Sequence, residues 1–172
     1  CNSICLFCIF RRFIPSKDAK KTDTVTTKQK NEAIISRLKA DAEARTQQLQ
    51  QLVQQMISKQ GNAYGQANDM WKFLASGNFT VDAQTKAQAQ ADIAEDGYWG
   101  VKQTSERIFD FAKALSGGDM DKMKEMQAAF EKGFKQATKT WGKELPQISQ
   151  DTRSAVNKLF EDFYAGNQKD TE

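Results

Sequence analysis

Asp119-Met120-Asp121-Lys122-Met123-Lys124-Glu125-Met126-Gln127-Ala128-Ala129-Phe130-Glu131-Lys132-Gly133-Phe134-Lys135-Gln136-Ala137-Thr138-Lys139-Thr140-Trp141-Gly142 is the stretch that decides the fold. Met123, Met126, Phe130, Phe134, Ala137 and Trp141 recur at spacings of three and four, which lines them up on one face of an α-helix. Asp119 stands where a side-chain oxygen can cap the first turn, and Gly142 supplies the left-handed residue that ends a helix. Gly133 interrupts the interior at a cost of about 1 kcal/mol relative to alanine. Close packing of an aromatic side chain, Trp99 or Trp71, is the expected reason.

The same pattern repeats outward from this segment. Tyr98-Trp99-Gly100 leads into a helix with Val101, Ile108, Phe109, Ala112 and Leu115 inward, stopped by Ser116-Gly117-Gly118. Before it, Asp82, with Thr85 three residues on, caps a helix whose Ala83, Ala87, Ala91 and Ile93 are expected to face a neighbour at close approach, with a break at Asp96-Gly97. Asn68 or Asp69 caps a short helix holding Met70, Trp71, Phe73 and Leu74 and closed by Gly77. Downstream, a helix follows Pro146 with Ser149 as its expected cap, Val156, Leu159, Phe160 and Phe163 inward, and Gly166 as terminator.

The longest helix is expected from Asn31 to Gln60, ended by Gly61. Ile35, Leu38, Ala42, Leu49, Leu52 and Met56 follow the a/d seam of a coiled coil, with Arg45 at its one position that is not apolar. Ile34, Val53 and Ile57 widen the stripe toward the C-terminal half. A wide stripe packs onto its own domain, whereas a narrow one suits self-association or a partner. The Gln-rich run from Gln47 to Gln55 carries apolar residues at helical spacing and reads as a solvated helix face, not a prion-like tract. Alternating β-branched strand patterns are absent from the sequence. Each large side chain buried in these stripes contributes roughly 1.5–3 kcal/mol, enough together to hold a bundle. The expected fold is all-α: an irregular helical bundle of about five to six helices over residues 31–166, with a long N-terminal helix and a disordered tail at 167–172.

Residues 1–30 read differently. The apolar run from Ile4 to Phe10 is shorter than the roughly 20 residues a membrane span needs. Arg11 and Arg12 follow it, the reverse of a signal peptide. Three readings stand: the end of a span, an acylated Cys1, or a misread or mis-started coding region, the last being favoured. Pro15 to Lys30 is rich in lysine, threonine and aspartate with Val25 its only large apolar residue, so it is expected to form a disordered polar tether.

Charge and residue types limit the function classes. Residues 1–30 carry seven Lys/Arg against two Asp, a net +5, while residues 31–172 carry eighteen Lys/Arg against twenty Asp/Glu, a net −2. The helical region therefore has no phosphate-binding basic face, and nucleic acid is not an expected partner. There is no histidine, and all three cysteines, Cys1, Cys5 and Cys8, lie in the leader. That leaves no disulfide framework in the helices, too few ligands for zinc, and no nucleophile–base pair. Asp92, Glu95 and Asp96 cluster at a helix end, as do Asp119, Asp121 and Glu125. Neither group has the spacing of a calcium loop, and acids in a first turn suit the helix dipole. No catalytic residue, metal or cofactor is expected.

Two candidate sites remain. Ile35, Leu38 and Ala42 form the narrow half of the long helix and are the candidate partner contact. Trp71, Tyr98, Trp99 and Trp141 are the candidate pocket, weighed against core packing at helix ends. Met120, Met123 and Met126 could line an adaptable groove, but Met123 and Met126 fall on the core stripe.

The segments Asp69-Met70-Trp71-Lys72-Phe73-Leu74-Ala75-Ser76-Gly77-Asn78-Phe79-Thr80-Val81-Asp82, Asp96-Gly97-Tyr98-Trp99-Gly100-Val101, Phe130-Glu131-Lys132-Gly133-Phe134 and Ala137-Thr138-Lys139-Thr140-Trp141-Gly142 together resemble a bacterial helical domain family of unknown function. That family is seen in hypothetical proteins of the Clostridia and some Gram-negative bacteria, and the resemblance covers about residues 36–165. It implies a cytoplasmic or appendage-associated protein and carries over no catalytic residues. The sequence as a whole predicts a non-enzymatic, cytoplasmic interaction or structural module that meets a protein partner, or a second copy of itself, through its long N-terminal helix. The alternative is a small-ligand-binding or membrane-associated sensor, with membrane contact only if residues 1–14 are native.

Overall fold

The computed structural model describes residues 25–58, 74–77 and 79–168. The leader before residue 25, Gly61, the segment holding Met70, Trp71 and Phe73, and the last four residues lie outside the described residues, as do the side chains of Met56 and Ile57. Among the described residues five helices follow in order: α1 Val25–Ser58, α2 Ala83–Asp92, α3 Val101–Ser116, α4 Met120–Trp141 and α5 Gln147–Gln168. A helical turn at residues 74–76 ends at Gly77, and no strand occurs among the described residues. The fold is an all-α bundle.

α3 is the central element. It packs against α1, α4 and most extensively α5, while α4 also packs on α5. With neighbours on three sides it buries more than one stripe: Ile108 and Ala112, as expected, but also Phe111 at 1% exposure, together with Thr104, Ser105 and Ala114. Two of the buried hydroxyls are satisfied within their own helix. Ser105 Oγ donates to the Lys102 carbonyl (2.9 Å) and Thr152 Oγ1 to that of Ile148 (2.7 Å), which removes most of the burial penalty of these small polar groups. Phe109 meets Phe160 and Phe163 of α5 edge-on, at centroid distances of 5.4 and 6.0 Å.

α4 follows its sequence pattern closely. Met123, Phe130, Gly133, Phe134, Ala137 and Trp141 are buried, Asp119 accepts from the Lys122 amide (2.9 Å), and Gly142 closes the helix at φ 80° with its N–H on the Thr138 carbonyl. Across to α5, Arg153 donates to both oxygens of Glu131 (Nε 3.0 Å, Nη2 2.6 Å). Asn157 donates to the same carboxylate and accepts from Gln127. Arg153 and Asn157 hold Glu131 below the usual carboxylate range against the opposing effect of burial.

Several expectations are corrected. α1 begins at Val25, six residues before Asn31, so the last part of the expected tether is helical. Among its described side chains Leu38, Ala42, Thr46 and Val53 are buried, whereas Arg45 and Leu52 are exposed. The stripe advances eleven residues in three turns from Ala42 to Val53, the drift of a nearly straight helix, where a coiled-coil seam repeats every seven. At the other end of the chain, the Pro146 carbonyl accepts from the Ser149 and Gln150 amides (2.8 and 3.4 Å), so Pro146 occupies the cap position and Ser149 lies inside α5, fully buried. α5 then runs through Gly166 to Gln168.

A further correction concerns α2. Asp82 caps it as expected, accepting from the Thr85 amide (2.8 Å) and hydroxyl (2.9 Å). Yet no residue of α2 is buried, and Ala83, Ala87 and Ala91 are all exposed. Alanine permits close helix approach without compelling it, because its methyl group brings little apolar area to bury.

Candidate functional site

Two places stand out, both built around the connection from α2 to α3. Backbone turns between Asp92 and Gly100 fold this connection tightly: the Trp99 amide donates to the Asp92 carbonyl (2.7 Å) and the Gly100 amide to that of Gly97 (2.9 Å). A Cβ on Gly97 would meet the Ala91 and Asp92 carbonyls, and one on Gly100 the Ala94 carbonyl. Only glycine fits at either position. This fold-back delivers Tyr98 to α1.

The Tyr98 hydroxyl donates to Asp41 Oδ2 on α1. Arg107, two turns into α3, donates from Nη2 to the Tyr98 carbonyl (2.5 Å) and to Thr104 Oγ1 (3.3 Å). Two guanidinium groups lie over the Tyr98 ring, Arg107 at 3.9 Å and Arg45 at 4.4 Å from its centroid. Trp99 meets the ring edge-on at 4.7 Å. Burial, reinforced by the bond to Asp41, pushes the phenol up to about 12 despite the opposing arginines. Burial also lowers Arg107 from the usual arginine value, with Tyr98 and Asp41 acting the other way. Tyr98 thus ties α1 to the start of α3 as a neutral phenol at physiological pH.

Asp41 and Arg107 also form one end of a groove of about 620 Å³ between α1 and α3. Ile34, Leu38 and Ala114 give it an apolar floor, and Arg37, Asp110 and Lys113 add charge along its length. A second groove, of about 550 Å³, lies between α3 and α5 with Val101, Ala155 and Leu159 as its apolar part. Its rim carries both signs of charge, Lys102 and Lys158 with Glu95, Glu106 and Asp162. Ile93, just past the end of α2 and 46% exposed, lines its mouth.

The residues singled out in the sequence fare unequally. Leu38 and Ala42, expected at a partner contact, pack in the chain's own core at 8% and 7% exposure, and Ile35 is half-buried against that core. The α1 stripe is covered by its own domain because α3 lies along it. Tyr98 and Trp99 do come together, while Trp141 is buried in the core at the end of α4, and Trp71 lies outside the described residues. Asp92 accepts from Gln88 (2.9 Å) as a helix-end hydrogen bond. Among the described residues no group of three or more acidic, histidine or cysteine side chains is arranged around a metal-sized space. Asp41 and Arg107 were not singled out in the sequence, since each reads there as a solvated charge on a helix.

Among the described residues no helix is long and apolar enough to cross a membrane. No family model, curated protein or solved structure matches the chain.

Proposed function

We propose that this chain is a non-enzymatic helical interaction module whose contact surface is α2 and the α3–α5 groove that begins at Ile93. One observation carries the reading: α2 is ten residues long and buries none of them. An isolated helix below about 12–15 residues is marginal in water, and helices of this length persist through packing. Its Ala83, Ala87 and Ala91 offer a surface that another helix can approach closely. The adjoining groove has the anatomy of an interface, an apolar centre inside a polar rim of mixed sign. The proposed occupant is a helix of a protein partner, with its apolar face on Val101, Ala155 and Leu159.

Hydrogen exchange on the purified chain tests the premise. Amides of α2 should exchange far faster than those of α3, and Ala87→Glu with Ile93→Glu should leave the helical circular dichroism unchanged, since both side chains are exposed. Protection of α2 equal to that of α3, or unfolding of the double variant, overturns the reading.

A further inference from the structure

The groove between α1 and α3 is separate from the α2 surface and has a chemistry of its own. Its floor is apolar at Ile34, Leu38 and Ala114, and its volume of about 620 Å³ lies in the range of small-molecule sites, about 300–1,000 Å³. Charge along it is unevenly committed. Asp41 accepts from the Tyr98 hydroxyl and lies 4.0 Å from Arg45. Arg107 uses Nη2 on Tyr98 and Thr104, but its Nε is buried with no hydrogen-bond partner. Arg37 and Lys113 are exposed and form no ion pair with any described residue. Arg37, Arg107 and Lys113 against Asp41 and Asp110 leave the groove one positive charge in surplus.

We propose that this groove binds an amphiphilic carboxylate, a molecule with a linear apolar body and one anionic head. The head is placed between Arg107 and Arg37, where guanidinium donors suit a carboxylate. The body runs over Ile34 and Ala114 toward Gly117 and Gly118, at the C-terminal end of α3, where the helix dipole disfavours an anion. From Arg107 to Ser116 the groove follows about 14 Å of α3, at about 1.5 Å per residue.

Decanoate, used below its micelle-forming concentration, is the probe, with decyltrimethylammonium as the control of opposite charge. Titration calorimetry on the full chain should show saturable one-to-one binding of decanoate and none of the cation. Arg37→Glu and Lys113→Glu, both at exposed positions, should each weaken decanoate by about tenfold or more with unchanged circular dichroism. Ala87→Glu on α2 should leave decanoate binding intact, which separates this site from the proposed interaction surface. Absence of saturable decanoate binding, equal affinity for the cation, or full binding by both charge-reversal variants overturns the proposal.

Discussion

Tyr98→Phe removes one oxygen and tests whether the bond between Tyr98 and Asp41 fastens α1 to the bundle. The phenylalanine ring still lies under both guanidinium groups, so the substitution isolates the hydroxyl. A hydrogen bond to a charged group is worth about 1.5–3 kcal/mol. Tyr98 is only half-buried, and the Asp41 side chain is 37% exposed, so solvent screening brings the expected loss to about 1–2 kcal/mol. Urea unfolding should therefore show a lower midpoint with an unchanged slope. In a double-mutant cycle with Asp41→Asn, the coupling should be at least about 0.5 kcal/mol. The pH dependence has a definite sign. The folded phenol ionises near 12 instead of the ordinary 10, so the extra stability is fully present below pH 10 and disappears as pH rises toward 12. The difference between the two chains at each pH isolates Tyr98. Additive single substitutions, or a stability difference that persists at pH 12, refute the reasoning.

Three further substitutions test other parts of the structure. Ser149→Ala should be neutral or stabilising by up to about 1 kcal/mol in urea unfolding, because it removes a buried hydroxyl without a hydrogen-bond partner; a loss of about 1 kcal/mol or more would restore Ser149 as a helix cap. Glu131→Gln should cost about 1–2 kcal/mol at neutral pH. Because its folded pKa is lowered, that deficit should persist above the unfolded value of about 4.3 and shrink as pH falls below it, as read from unfolding curves between pH 3 and 7. Gly100→Ala should disrupt the fold-back that carries Tyr98, since its Cβ collides with the Ala94 carbonyl; a thermal midpoint within a degree of the parent would contradict that geometry.

The residues of α4 show what is legible in a sequence of this kind. A helix with one wide stripe, an aspartate cap and a terminal glycine needs only local information, and its buried list matches its periodicity. Phe111 was missed because α3 has neighbours on three sides, a fact of tertiary arrangement that one stripe cannot express. In α1 the apolar residues fit a seven-residue repeat and a straighter drift about equally well, and only tertiary packing selects Thr46 and Val53 over Arg45 and Leu52. Ser149 reads as a cap by its residue type, but the carbonyl of Pro146 begins the helix, which does not need the N–H that proline lacks. The Tyr98–Asp41 contact joins residues 57 apart in sequence, and neither residue carries a local mark of the other.

The most direct test of the central claim compares two captures from the native cells after mild cross-linking. The tagged chain is set against the same chain carrying Ala87→Glu and Ile93→Glu. One stoichiometric partner is expected, cross-linked at Lys86 or Lys102 in the parent and missing from the variant. Recovery of the same partners with both chains, or of bare monomer from the parent, would contradict an interaction surface on α2.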